Sequence, residues 1–254
     1  MIENVKSIAC EAGKAILSFY GQAIPVEKKA DDSPLTKADL AAHHVILKGL
    51  QTMDDSIPVL SEESSEVAYE ERQKWEQFWV VDPMDGTKEF IKQTGEFTVN
   101  IALVRHGQPV LGVVYVPAQD LFYWAENGKG AFKQATGEAA FAIKVRTADK
   151  NQLSIVASRD HAGPKVKALL DRFSGSETQS MGSSLKFCLV AEGKADVYLR
   201  DVPTMEWDTA AAQCVVEQAG GVVQDIDGKT LSYNKPVLRN PSIITLGDAA
   251  FDWR

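Results

Sequence analysis

Apolar residues recur at helical spacing over residues 2–20, where Val5, Ile8, Ala9, Ala12, Ile16 and Phe19 share one face and Gly21 ends the run. After a turn-rich stretch at 28–34, a second helical pattern begins near Thr36. It is expected to bury Leu40, Ile46, Leu47 and Leu50 and to carry Asp39 in its first turn. The short apolar run Pro58-Val59-Leu60 delivers Ser61-Glu62-Glu63-Ser64 at its exit, and an acidic, helix-prone stretch follows to Gln77. Residues 78–81 read as a buried strand ending at Asp82. Residues 97–104 and 110–116, joined by His106-Gly107-Gln108-Pro109, read as a hairpin, with further strands at 121–124 and 131–133. Past residues 147–151 the pattern changes. A strand at 153–157 precedes a helix from Pro164, a Gly/Ser-rich turn, a helix at 184–191 and a strand at 196–199. An Ala-rich helix at 208–219 is closed by Gly220-Gly221. This order predicts an N-terminal α+β lobe, residues 1–148, and a C-terminal α/β lobe, residues 149–254.

The 254 residues suffice for a sizeable core, and 44% hydrophobic with 24% charged residues is ordinary for a globular protein. A net charge of −8 argues against nucleic acid polymers and anionic membranes as partners, since both call for a basic surface. It does not argue against a small anionic substrate, because bound metal ions reverse the local charge. Cys10, Cys188 and Cys214 are far apart and form no C-x-x-C pair, which fits free thiols in a reducing cytoplasm. The N-terminus has no basic leader, and nothing approaches the ~18 apolar residues of a transmembrane segment. The expectation is a cytoplasmic protein, with peripheral membrane association left open and oligomeric state, monomer or homodimer, undetermined.

The densest chemistry lies in Trp79-Val80-Val81-Asp82-Pro83-Met84-Asp85-Gly86-Thr87. Pro83 restricts Asp82 to an extended conformation, so both aspartates project from the end of a buried strand. Paired carboxylates suit hard divalent cations, and the Met84 carbonyl can join them where its thioether cannot. Gly86 lets the backbone approach a bound group, Thr87 offers a hydroxyl, and the N–H groups at a helix start suit phosphate. An isolated Asp-Gly-Thr is only a turn and cap; the second aspartate, the proline and the strand point to a metal-dependent phosphatase. The spacing does not fit the D-x-D-x-T of haloacid dehalogenase phosphatases, since two residues separate the aspartates. Asp225-Ile226-Asp227-Gly228-Lys229-Thr230 lacks the Glu of a calcium loop and the first Gly of a P-loop, and reads as a hairpin turn. His43 and His44, adjacent on a helix, point about 100° apart and do not suit a shared metal. Trp75, Trp79 and Trp124 read as packing rather than base stacking.

Three separated segments, Ser61-Glu62-Glu63-Ser64, Asp82-Pro83-Met84-Asp85-Gly86-Thr87 and Glu206-Trp207-Asp208-Thr209-Ala210-Ala211, resemble the inositol monophosphatase superfamily over nearly the whole chain. Within it, Lys88-Glu89-Phe90, Gly95 through Leu103, Ser158-Arg159-Asp160-His161 and Gly182 through Cys188 are similar to the 3′(2′),5′-bisphosphate nucleotidase branch. The resemblance implies the layered αβαβα sandwich of the sugar phosphatases, a mixed α+β and α/β fold, and two or three Mg²⁺ ions. It assigns Glu62, Asp82 and the Met84 carbonyl to one ion and Asp82, Asp85 and Asp208 to a second. Glu63 is either a water-mediated contact to a weaker third ion or a solvated neighbour.

The same resemblance pairs Asp39, from Thr36-Lys37-Ala38-Asp39, with the Thr87 hydroxyl to orient and deprotonate a metal-activated water. It implies substrate contacts by Glu62, Met84, Asp85, Gly86, Thr87, Ser183 and Asp208, with Lys186 and Arg159 for a second phosphate. Asp208 could also cap the helix that it starts. The implied activity is lithium-sensitive hydrolysis of the 3′-phosphate of adenosine 3′,5′-bisphosphate, with phosphoadenylyl sulfate a second substrate. The alternatives are an inositol monophosphatase or sugar bisphosphatase with the same metal core, and a non-catalytic metal-binding regulator.

Overall fold

The computed structural model describes residues 1–21, 27–28, 34–35, 37–64, 66–157 and 163–254. Thr36 and the segment Ser158-Arg159-Asp160-His161, singled out from the sequence, lie outside them.

Helices α1 (Ile2–Leu17) and α2 (Lys37–Met53) flank a two-stranded ribbon of β1 (Glu27–Lys28) and β2 (Pro34–Leu35). The main sheet follows in chain order: β3 (Val59–Ser61), β4 (Gln77–Asp85), β5 (Thr98–Arg105), β6 (Gln108–Val116), β7 (Leu121–Glu126), β8 (Gly130–Ala135) and β9 (Phe141–Ile143). Only the β3–β4 pair is parallel; the others are antiparallel neighbours. The short helices α3 (Tyr69–Arg72) and α4 (Thr87–Ile91) flank β4. A second sheet has the order β11 (Glu177–Ser180), β10 (Ser154–Ala157), β12 (Val197–Arg200), β14 (Ile243–Leu246), β13 (Val222–Asp225). Helices α5 (Pro164–Arg172), α6 (Leu185–Ala191) and α7 (Ala210–Gln218) complete the chain.

Period-two alternation explains the layers, because successive strand residues face opposite sides. In β4 and β5, Trp79, Val81, Ile101 and Leu103 face α1 and α2, whereas Phe78, Val80, Ala102 and Val104 face α6 and α7. In the second sheet, Val156, Tyr198 and Ile243 face the same central helices. Ile155, Val197, Leu199 and Ile244 pack with Val166 and Leu169 of α5 on the far side. The result is α1/α2, main sheet, α6/α7, second sheet, α5: the expected αβαβα sandwich. Both sheets are covered on both faces, so their central strands read as near-continuous apolar runs. Among the described residues no helix is long and apolar enough to cross a membrane.

Several expectations need correction. Helix α2 buries Ala38, Asp39, Ala42, His43, Ile46 and Leu50; Leu40 is exposed and Leu47 only half-buried. Its inward stripe is rotated because it includes the polar pair Asp39 and His43. The acidic stretch before β4 forms only the four-residue α3, beyond which Trp75 packs against the core. The Gly/Ser-rich turn after α5 contains β11, a polar edge strand without an apolar period. The 225–230 segment is a turn as expected, with the Asp227 and Lys229 N–H groups donating to Asp225 Oδ1.

Candidate active site

Four chain segments converge where the main sheet meets α6 and the second sheet. The exit of β3 brings Glu62, the end of β4 brings Asp82, Met84 and Asp85, the start of α6 brings Ser183 and Lys186, and the loop before α7 brings Asp208. Between them lies a cavity of about 370 Å³ lined by Glu62, Asp85, Gly86, Thr87, Ser183, Lys186 and Asp208 among others. Asp82 and Met84 lie buried beneath it. Asp39, also buried, comes from the first turn of α2.

Local geometry follows from the β4 sequence. The strand pairs regularly with β5 up to Asp82↔Asn100, and its register shifts between Asp82 and Asp85, where Pro83 can donate no ladder hydrogen bond. Asp82 Oδ1 accepts the Met84 N–H at 3.0 Å, which ties the bulge to the carboxylate. Gly86 has φ +96°, and a Cβ there would lie 3.1 Å from the Glu96 carbonyl oxygen, so the turn into α4 requires glycine. The Thr87 hydroxyl donates to the Met84 carbonyl at a long 3.4 Å.

Charge is the defining property of the site. Burial pushes the Asp82 carboxyl well above the ordinary carboxylate range, and Glu62, Asp85, Asp208 and Asp39 push it the same way. Asp208 is pushed up to about 8, by burial first and then by Asp85, against the Met205 N–H that donates to its Oδ2 at 2.8 Å. The alternative role of Asp208 as a helix cap is not met: α7 begins at Ala210 with Thr209 at its N-cap position. Five carboxylates thus share one region with no nitrogen or sulfur donor of their own. Such an oxygen-only, charge-rich set fits hard divalent cations, which would neutralise the repulsion. Among the described residues no three His, Cys, Asp or Glu side chains close into one coordination-sized cluster, so the carboxylates act on Asp82 through charge at longer range.

The cavity is also lined by cations. Lys186, 4% exposed, donates to the carbonyls of Ser183 at 2.7 Å and Met181 at 3.3 Å. Burial lowers its pKa to about 8, with Arg200 acting in the same direction and Asp85 opposing. Arg200, at the end of β12, and Tyr198 two residues earlier also line the cavity. Sequence reading missed both; the available signal was a cation at the carboxyl end of a strand in an α/β sheet, where ligands bind. Ser184 was missed too. Gly182 comes so close to the other wall that a Cβ there would meet the Glu89 Cγ at 2.5 Å, and its N–H donates to Glu96 Oε2 at 2.8 Å. His43 contacts the Ser61 hydroxyl at 3.0 Å, linking the helix of Asp39 to the strand before Glu62.

Fold and cleft together define a five-layered α/β protein with a carboxylate-rich site where its sheets meet. The inositol monophosphatase family model matches residues 1–248, and the chain belongs to that family, whose members depend on metal ions, typically Mg²⁺. It is 50% identical to the 3′(2′),5′-bisphosphate nucleotidase CysQ of Salmonella typhimurium over 92% of this chain and 94% of that protein. To the protein of the same name from Escherichia coli K12 it is 48% identical, with the same coverage. The crystal structure of CysQ from Bacteroides thetaiotaomicron superposes with a TM-score of 0.85 at 40% identity, covering 99% of this chain and 97% of that one.

Proposed function

We propose that this chain is a Mg²⁺-dependent 3′(2′),5′-bisphosphate nucleotidase that converts adenosine 3′,5′-bisphosphate to AMP and phosphate. The observation that carries the reading is one cavity lined both by the carboxylates Glu62, Asp85 and Asp208 and by the cations Lys186 and Arg200. The carboxylates suit a metal-bound scissile phosphate. The cations suit a second phosphate, which an inositol monophosphate lacks. The relatives named as bisphosphate nucleotidases at about 50% identity support the same branch.

In this reading Glu62, Asp82 and the Met84 carbonyl would hold one Mg²⁺, Asp82, Asp85 and Asp208 would hold a second, and a third ion would bind more weakly. When bound, the ions supply positive charge that activates water and stabilises both attacking and leaving oxygens of an in-line displacement. Asp39 and the Thr87 hydroxyl orient the attacking water, and Asp39 receives its proton. The Gly86 and Thr87 N–H groups hold phosphate oxygens as charge builds on them. The water oxygen forms the new bond to phosphorus, the bond to the ribose 3′-oxygen breaks with its electron pair going to that oxygen, which takes a proton from solvent water, and no residue is phosphorylated. Lys186 and Arg200 hold the 5′-phosphate, with Ser183 beside them. Phosphoadenylyl sulfate fits the same site as a second substrate. The protein acts in the cytoplasm as a monomer or homodimer.

Phosphate release with Mg²⁺ tests this directly, comparing adenosine 3′,5′-bisphosphate, inositol 1-phosphate and fructose 1,6-bisphosphate with and without lithium. A large kcat/KM preference for the nucleotide, abolished by lithium, is expected. Preference for inositol phosphate would overturn the roles of Lys186 and Arg200 while keeping the metal core. No release from any of them would favour a metal-binding regulator.

A further inference from the structure

The first residue of α6 is preceded by Ser184 at the N-cap, where a serine hydroxyl ordinarily accepts a backbone N–H of the first turn. Ser184 makes no such cap bond. Its Oγ lies 2.8 Å from Asp85 Oδ2 and 3.0 Å from the Asp208 carbonyl oxygen, so it bridges the two acidic segments across the cleft. A hydroxyl has one proton and can serve only one of these acceptors at a time.

Asn100 bears on which one. It lies in the middle of the main sheet, 1% exposed, on the face of β5 turned toward α6 and directly opposite Asp82 in the ladder. Its Nδ2 donates to Ser184 Oγ at 2.9 Å, while its Oδ1 is buried with no hydrogen-bond partner among the described residues. A buried amide that leaves one polar atom unpaired is costly, so packing alone does not explain it at this position. Asn100 fills a lone pair of Ser184 Oγ, which leaves the hydroxyl proton to point away from the sheet. Of the two remaining acceptors, the Asp85 carboxylate oxygen is the nearer, at 2.8 Å against 3.0 Å for the Asp208 carbonyl, and it takes the hydroxyl proton.

We propose that Asn100 and Ser184 are positioning residues: a relay from Asn100 Nδ2 through Ser184 Oγ to Asp85 Oδ2 fixes the rotation of the Asp85 carboxylate and presents Oδ1 to the metal. Neither residue touches the substrate in this role. The relay rests on the reading of Asp85 as a metal ligand, and it adds that metal affinity is set jointly by the main sheet and the start of α6. Partners of this kind behind a ligating carboxylate typically contribute about 10–100-fold in metal affinity or activity.

The test is Mn²⁺ binding to the substrate-free protein, read by the loss of the free-ion electron paramagnetic resonance signal, for wild type, Ser184→Ala, Asn100→Leu, the double variant and Asp85→Asn. Ser184→Ala is expected to weaken Mn²⁺ binding about tenfold or more. It should raise the Mg²⁺ concentration for half-maximal activity equally, with kcat at saturating Mg²⁺ within a few-fold of wild type. Asn100→Leu is expected to act in the same direction but less, and to add nothing in the double variant. Wild-type Mn²⁺ affinity in Ser184→Ala, or additive effects in the double variant, overturns the relay. If Ser184→Ala does not fold, Asn100→Leu decides alone, and wild-type affinity there overturns it. Asp85→Asn separates the two levels: its loss of Mn²⁺ binding beside an unaffected Ser184→Ala overturns only the relay, whereas its retention overturns the metal reading as well.

Discussion

Asp85 and Arg200 line the same cavity, and the proposed chemistry asks different things of them. In the proposed mechanism Asp85 acts on the scissile phosphate through metal, so replacing it by Asn removes charge that matters throughout the reaction. Turnover of Asp85→Asn is expected to fall below about 1% of wild type, in the range seen when one essential electrostatic group is lost. Its circular dichroism and melting should stay native, because the variant is nearly isosteric. Activity near wild type would mean that Asp85 is no ligand. Arg200 is expected to act on binding alone. One charge-assisted hydrogen bond to phosphate corresponds to about 1.5–3 kcal/mol, so Arg200→Gln should raise KM for adenosine 3′,5′-bisphosphate roughly 10–100-fold with little change in kcat. A matched fall in kcat with KM unchanged would instead place Arg200 at the reacting phosphate.

The elements behind the site show which signals a sequence carries and which it does not. The projecting aspartates at the end of β4 were legible because everything that makes them is local: an apolar run, Asp82, a proline, Asp85 and a glycine within one short stretch; the continuation of the strand past Asp82 to Asp85 through a register shift was not. The central strands were legible because burial on both faces leaves long apolar runs. The polar edge strand β11 was not, since its pairing with β10 stands in for an apolar pattern. Ser184 looks like an ordinary helix cap from sequence; only the fold brings Asp85, 99 residues earlier, within reach of it. The same holds for His43 and Ser61, which are 18 residues apart and join α2 to β3 through one buried hydrogen bond. Burial is the main influence lowering the His43 pKa, followed by His44, against an opposing pull from Glu63, so the neutral ring is the species that makes this bond. Removing the partner leaves the buried Ser61 hydroxyl unsatisfied, a loss of about 1–3 kcal/mol. His43→Leu is therefore expected to lower the urea midpoint accordingly and to reduce activity, because Asp39 lies on one of the elements it joins and Glu62 directly follows the other. An unchanged midpoint would show that the hydrogen bond contributes nothing to either.

At the scale of the whole molecule, the acidic cavity makes stability depend on pH and on divalent cations together. The folded state raises the carboxyls of Asp82 and Asp208 above the ordinary aspartate value of 3.8, Asp208 to about 8. Below pH 3.8 these groups are protonated in both folded and unfolded chains and contribute no difference. Between that value and the folded one, the folded chain binds more protons than the unfolded chain. Stability from these groups therefore falls as pH rises, and the cost of Asp208 is fully reached above about pH 8. Lys186 does not mask the trend, since its pKa is lowered to about 8 and its proton leaves only near the upper end of that window. A cation that binds the ionised carboxylates removes the penalty and binds the folded chain preferentially, adding stability by mass action. The expected outcome is a rise in Tm on adding Mg²⁺ that is clearly larger at pH 8 than at pH 5.5, measured by scanning calorimetry at constant ionic strength. In Asp82→Asn the Mg²⁺-induced rise should largely disappear, and the metal-free variant should lose less stability than wild type between the two pH values. An Mg²⁺ effect independent of pH, or one that survives in Asp82→Asn, would mean that the cation stabilises the molecule from somewhere other than this cluster.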